Sequence, residues 1–449
     1  MSEDSPSSSP SRWRTTFRAL HHRNFRLFFS GQLISLIGTW MQNIAQMWLV
    51  YRMTHSPILL GAIGFASQIP AFLAAPFGGE VADRWSRHKL VIATQVSSMI
   101  LAFILAGLTL TNIIQVWHVF VLAILLGIVN AFDIPGRQAF MVEMVGKEDL
   151  MNAIALNSSM FNGARIVGPA VAGILVAKIG EGWCFFANAV SYIAVIAGLM
   201  LMKVDSPPRI AVGSAFDNII EGFQFVRNAI PIRDLMLLLG LVSLVAMPYA
   251  VLMPIFADQI LHRGANGLGI LMGATGVGAL LGALSLAMRS GLRGVGRLIG
   301  ISGLCFGAFL VGFAWSRSFW LSAFLLVPVG YFMMSQMTSS NTLIQAMVPD
   351  HLRGRVMAVY TMMFMGMAPF GSLFAGALAK PLGAPLTISI GAVACMIGAV
   401  WFLSRLSEFR VVARQMILSQ GLAGGDPEQE IATTGMISQP FSRAETEQE

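Results

Sequence analysis

Few side chains in this 449-residue chain could do charge-based chemistry, and they are unevenly placed. The densest group is Gly79-Glu80-Val81-Ala82-Asp83-Arg84-Trp85-Ser86-Arg87-His88-Lys89, a short charged segment with turn character between two long apolar runs. Asp83 and Arg87 lie four apart, so a helix extended past the apolar run would bring them onto one face. A carboxylate there could also meet the positive N-terminus of a neighbouring helix. A solvated turn that only sets topology is the simpler use of these charges. Arg165 is a different case, because it stands alone deep in an apolar run. A charge there costs roughly 2.5–3.5 kcal/mol on insertion scales and must face a cavity or a partner. Asp133 is the nearest suitable acid in sequence. That leaves two uses for Arg165, contact with an anionic part of a substrate or a structural pair between neighbouring helices. Polar amides on otherwise apolar runs add Gln42, Asn43, Gln46, Asn157, Asn162, Gln336 and Asn341. Asn43, Gln46 and Arg165 are the preferred cavity-lining trio; each amide could equally bond a neighbouring helix.

Other chemistries find no support. No Ser/His/Asp or paired-carboxylate arrangement stands out, and no phosphate-binding glycine loop is visible, so an enzyme or an ATP-driven pump is not expected. Cys184, Cys305 and Cys395 are isolated and have no metal-ligand spacing. No cofactor or metal is expected.

The elements that must position these residues are membrane helices. The chain is 55% hydrophobic and only 11% charged, against about 25% charged for a soluble domain. A spanning helix needs about 20 mostly apolar residues. In lipid its backbone groups must pair within the segment. Twelve such runs are read, at 26–51, 58–80, 89–110, 115–135, 152–178, 182–203, 233–260, 267–288, 294–314, 318–341, 354–379 and 384–405. The fold class is therefore an all-α membrane protein. No cleavable signal peptide is expected in the Ser/Pro-rich, then basic, N-terminal segment.

Most of the 29 Lys and Arg fall on one side of such an arrangement, the side of both termini. Only Arg52, Lys178, Arg263, Arg317 and Lys380 fall in the opposite loops. The positive-inside rule then makes both termini cytoplasmic. The net charge of +7 is a topology signal rather than a nucleic-acid footprint. Met144-Val145, Phe161, Gly163, Gly168 and Gly173 recur at one common spacing as Met347-Val348, Phe364, Gly366, Gly371 and Gly376. Such a repeat implies two six-helix halves with a site near the midplane between them. The organisation is a segment 1–25, a six-helix bundle 26–203, a linker 204–232, a second bundle 233–406 and a tail 407–449, polar and disordered from Gly421. In the linker, Phe216, Ile219, Ile220, Phe223 and Val226 follow Ser214 at helical spacing, predicting a short amphipathic helix on the membrane face. The 28 Met and 30 Phe suit an adaptable apolar cavity.

The charged segment resembles the signature loop between the second and third helices of the major facilitator superfamily: Gly, three residues, Asp-Arg, one residue, usually Gly, then a basic triplet. Gly79, Asp83, Arg84, Arg87 and Lys89 hold the matching positions, with Ser86 for the second Gly and His88 for the middle basic residue. A second set is Asp133-Ile134-Pro135, Glu143-Met144-Val145, Leu150, Asn152-Ala153, Asn157, Gly168-Pro169 and Gly173. It resembles the bacterial branch of enterobactin exporters, macrolide efflux pumps and transmembrane secretion effectors. Gly168, Pro169 and Gly173 also partly match the antiporter signature of the fifth helix, with Ala172 replacing one glycine. The fourth-helix arginine of many drug–proton antiporters is not evident; residues 121–130 hold no basic side chain.

The resemblance implies a secondary exporter of drugs, siderophores or related amphipathic compounds, working by alternating access in the bacterial inner membrane. It would be proton-coupled and monomeric, with a small molecule, protons and the bilayer as its partners. An uptake facilitator and a non-transporting scaffold are the alternatives. The resemblance also implies that Asp83 meets the eleventh helix near Arg353 and Arg355, locking the halves on the cytoplasmic side. With Asp83 assigned to gating and Glu80 and Asp258 at helix ends, Asp133 is the remaining carboxylate for proton coupling, through Arg165. Its neighbour Pro135 suggests instead a helix end.

Overall fold

A computed structural model describes residues 17–146, 148–204, 215–289 and 291–419. The side chains of 75–80, 82–84, 215–219 and 419 also lie outside the described set. After a 3-10 turn at Arg18–His21, the helices are α1 Arg23–Thr54, α2 Pro57–Arg84, α3 Arg87–Leu110, α4 Val116–Val145, α5 Leu150–Ile179 and α6 Glu181–Met200. A short α7, Ala215–Asn228, precedes the second set. That set is α8 Ile230–Ile260, α9 Gly264–Ala287, α10 Val295–Trp315, α11 Phe319–Met347, α12 Asp350–Leu382 and α13 Ala384–Ser404, followed by α14 Leu406–Ser419. Eleven of the twelve long helices are apolar enough to span a bilayer by composition alone. The other, α1, is diluted by Arg23, Arg26, Gln32, Gln42, Asn43 and Gln46.

Turn chemistry sets the hairpins. Ser56 caps α2, its hydroxyl accepting from the Leu59 N–H, and Pro57 follows at the first helical position. Gly180 between α5 and α6 and Gly383 between α12 and α13 both have positive φ, 89° and 78°. One residue thus reverses the chain at equivalent points of the two halves. Several helices outrun the sequence reading. α4 does not stop at Pro135 but continues to Val145, because neighbouring helices in a membrane bundle can re-satisfy the backbone group that proline frees. α2 continues to Arg84, so the break is only Trp85-Ser86. Arg87 therefore opens α3, and Asp83 and Arg87 do not share a helix face. Residues 407–419, expected as the start of the tail, belong instead to α14, Leu406–Ser419. The α8 span widens to π-turns at Val242–Ala246 and Phe256–Ile260 and tightens to 3-10 at Met247–Leu252. Pro248 and Pro254, which lack donors, lie in this irregular stretch.

The halves join along two helix crossings, α2 with α12 and α5 with α9. The end of the bundle that carries the chain termini is called the terminal end, and the other the far end. The buried core is one continuous cluster toward the far end, where Leu49, Val50 and Tyr51 of α1 pack with Leu252, Met253 and Phe256 of α8. Toward the terminal end it divides. Phe25, Phe28, Phe140 and Leu199 form one cluster in the first half, and Leu235, Ile344, Val356 and Phe402 another in the second.

Candidate functional site

Arg165 of α5 sits between the halves. Its guanidinium lies 5.7 Å from the centre of the Trp40 ring on α1, within cation–π range. Phe161, one turn earlier on α5, meets the same Trp40 ring edge-on at 5.7 Å. Arg165 is in electrostatic reach of the Tyr249 hydroxyl on α8, and Tyr249 lies beside Thr275 of α9. Among the described residues Arg165 has no ion-pair partner. Four helices, two from each half, therefore converge on one cation.

Asn43 is exposed and lies one turn beyond Trp40 on α1. Its helix line continues through Met47 to Tyr51, whose hydroxyl donates to Asp258 Oδ2 of the other half at 2.8 Å. Asn43 thus faces the second half, beside the Trp40–Arg165 contact. Gln46 is half-buried. Gln42 belongs to the packing, since its Oε1 accepts from Asn188 Nδ2 of α6 at 2.7 Å. Asn162 is buried and donates to the Ser158 carbonyl in its own helix. Gln336 is buried with Oε1 lacking a partner among the described residues. Asn341 accepts from Gln345 on a partly exposed line with Met334 and Thr338.

The expected pairing of Asp133 with Arg165 is not what forms. Asp133 is buried on α4; its Oδ1 accepts from Thr94 at 2.8 Å and Gln95 at 2.9 Å, both on α3. Its Oδ2 pairs with Arg137 one turn on, at 3.0 Å. The nearer cation wins because the two residues share one helix face at i and i+4.

Of the signature loop, the Gly79, Asp83 and Arg84 side chains lie outside the described residues. Arg87 donates to Glu143 Oε1 of α4 at 3.2 Å and to the Ala139 carbonyl at 3.3 Å. His88 bonds the Leu199 carbonyl at 2.8 Å and stacks on Phe140. Lys89 is exposed. Arg87 and His88 of the basic triplet therefore anchor α3 to α4 and α6. The antiporter-like residues sit at helix crossings. Gly168 faces Trp40 and the Ile37 carbonyl of α1, and Gly173 meets Gly269 of α9. A Cβ on Gly269 would stand 2.6 Å from the Pro169 carbonyl oxygen and 2.7 Å from the Gly173 Cα. Only the lack of side chains permits this approach of the halves.

Sequence reasoning missed the Tyr51–Asp258 bond, because nothing local links positions so far apart. It also missed Trp40 and Tyr249, which read as ordinary aromatics in apolar runs.

The fold is that of known transporters. A solved nucleoside transporter NupG superposes with TM-score 0.63 at 15% identity, covering 86% of this chain and 98% of that one. A bacterial homologue of the iron transporter ferroportin, in an inward-facing state, superposes with TM-score 0.63 at 18% identity, covering 85% and 98%. By sequence, the chain is 26% identical over 391 residues to the staphyloferrin A transporter of Staphylococcus aureus, covering 86% of this chain and 98% of the relative. It is 25% identical to the enterobactin exporter EntS of Escherichia coli O157:H7, over 89% and 96%, and 25% identical to the multidrug efflux pump Tap of Mycolicibacterium fortuitum, over 86% and 97%. The transmembrane secretion effector family matches residues 14–424, nearly the whole chain. With its twelve long helices in two halves, the chain belongs to that family and is a multi-pass membrane transporter of the major facilitator superfamily, not an enzyme.

Proposed function

We propose that the chain is a proton-coupled secondary exporter that carries an amphipathic small molecule with an anionic group across the bacterial inner membrane by alternating access. The observation that carries this is Arg165, a cation between the halves with aromatic faces beside it and no acid of its own among the described residues. A substrate carboxylate or catecholate would take the place of that acid. Trp40, Phe161 and Tyr249 would pack its apolar part, and Asn43 and Gln46 would bond its polar groups. Relatives named for staphyloferrin A and enterobactin support this substrate class.

The excess of Lys and Arg at the terminal end supports cytoplasmic termini. In that orientation the far end is the outer one. The single core there and the division of the core at the terminal end support an inward-facing state. Asn341, Thr342 and Gln345 would then line the cytoplasmic cleft.

Gly79, Asp83, Arg84, Arg87 and Lys89 form the gating motif in this reading. Asp83 closes the cytoplasmic side against α12 when the protein turns outward, and Arg87 fixes the loop on α4 through Glu143. Asp133, bonded to Arg137, Thr94 and Gln95, is the coupling group in this reading, with Arg137 rather than Arg165 as its partner. The central site draws on both halves of one chain, so a monomer suffices.

The deciding experiment is transport into inverted vesicles by Arg165→Gln and Arg165→Lys. Gln should reduce transport of an anionic siderophore at least tenfold and spare a neutral dye, while Lys should restore part of it. Equal losses for both compounds would remove Arg165 from substrate recognition. For the gate, Asp83→Asn should raise the labelling of cytoplasmic-side cysteines between the halves and slow transport; unchanged labelling with full transport would exclude the role.

A further inference from the structure

The last helix has more amphipathic surface than its packing on the bundle uses. α14 follows α13 directly and buries Leu406, Phe409 and Ala413. Leu406 and Phe409 lie against Gly296, at the start of α10. At about 100° per residue, Arg410, Arg414, Leu418 and Val411 follow one another round the helix within an arc of about 100° beside that buried stripe. Gln415 and Glu408 follow beyond Val411, on the face opposite the buried stripe, and Val412 takes the other flank. Val411 is 61% exposed and Leu418 43%, and both arginines are exposed. Next to this flank, the start of α10 presents exposed Arg293 and Arg297. Among the described residues, Arg410, Arg293 and Arg297 have no ion-pair partner. Asp234, the buried acid at this end of the half, is already shared by Arg233 and Arg405, each at 3.6 Å.

The positive charge of Arg410, Arg293 and Arg297 adjoins exposed aliphatic side chains at the level where the α13 span ends. Topology alone asks for the arginines, but it does not ask for Val411 and Leu418 to stand beside them. A helix with this pattern lies at the boundary between headgroups and acyl chains. Arginine matches a phosphodiester bidentately. We propose that α14 and the start of α10 form a docking surface for an anionic phospholipid, its phosphodiester held by Arg410 and Arg414 and its upper acyl carbons against Val411 and Leu418. The rival occupant is residues 420–449, whose Asp426, Glu428 and Glu430 also complement the charge.

The test uses the full chain and native mass spectrometry, titrating dioleoyl phosphatidylglycerol against dioleoyl phosphatidylcholine. The wild type should retain phosphatidylglycerol preferentially. Each of Arg410→Gln and Arg414→Gln should weaken it about fivefold and the pair about twentyfold, with a smaller loss for phosphatidylcholine, whose phosphodiester is balanced by its choline. Arg317→Gln, at the far end, should change neither. Val411→Ser/Leu418→Ser should weaken both lipids, which a purely ionic contact would not. All these positions are exposed, and a monodisperse elution profile checks folding. Phosphatidylglycerol binding unaltered in Arg410→Gln/Arg414→Gln overturns the proposal. So does a chain ending at Ser419 that binds phosphatidylglycerol when the full chain does not, which would give the surface to the acidic tail.

Discussion

At the far end, the halves meet through a single buried core, with Gly173 on Gly269 and Tyr51 bonded to Asp258. At the terminal end, two cores stand apart, and the prominent contacts are charged: Arg87 with Glu143 inside the first half, and Arg355 of α12 with Glu221 of α7. The difference is one of cost and range. Apolar contact between bare backbones acts only at full approach and hardly responds to salt. Ion pairs act over longer distances, are worth about 0–1 kcal/mol when exposed, and weaken with ionic strength. The far end is thus joined by close packing across the two halves, whereas these ion pairs at the terminal end brace helices within one half or onto α7 and do not bridge the two bundles.

The largest effect should come from placing bulk in the far seal. Gly269→Leu forces a side chain into the Pro169 carbonyl and Gly173, and such overpacking costs about 1–3 kcal/mol. Transport should fall by tenfold or more, and a cysteine placed at Ala265 should become reactive from the far side. Normal transport would mean that the close crossing is dispensable.

Next in size is the buried acid near the terminal end. Asp133→Asn leaves Arg137 without its partner and should abolish proton release on substrate addition to inverted vesicles, while substrate still binds. Ordinary substrate–proton exchange in this variant would make Asp133 structural and put coupling elsewhere.

Glu143→Gln tests whether the terminal end is governed by charge. Arg87 and Glu143 are largely buried, 12% and 19% exposed, so the loss should be about 1–3 kcal/mol of stability, seen as a lower Tm. A Tm equal to that of the wild type would show that this pair does not brace the terminal end of the first half.

Tyr51→Phe should give the smallest change. It removes one hydrogen bond to a carboxylate, worth about 1.5–3 kcal/mol when buried and less at the half-exposed Asp258. Transport should shift a few-fold, with far-side cysteine labelling raised, because the apolar seal remains. A loss as large as that of Gly269→Leu would make the bond, and not the close packing, the far gate.

Twelve helices, two halves and the exporter family were legible in the sequence, because lipid demands long apolar runs and a repeat leaves matching Gly, Phe and Met at one spacing. Arg165 was legible as a residue that needs a cavity or a partner for the same reason, since charge in an apolar run is costly wherever it lies. Its surroundings were not. Asp133 was the reasonable partner by distance along the chain, yet it faces α3 and Arg137, and Arg165 faces Trp40 of α1. Helix ends were misread for a local reason. Pro135 and the charged residues up to Arg84 look like stops, but tertiary contacts carry both helices further.

Composition and periodicity thus determined that the chain is a bundle of membrane helices, which end holds the positive charge, and which few polar residues in apolar runs need a partner or a cavity. These depend on transfer from water to lipid, a property of each segment alone. The tertiary structure decided which polar groups meet: Arg165 with Trp40 and Tyr249, Asp133 with Thr94, Gln95 and Arg137, and Tyr51 with Asp258. It also decided that the far end is shut, because a contact between helices depends on rotation and register that no single segment's hydropathy encodes.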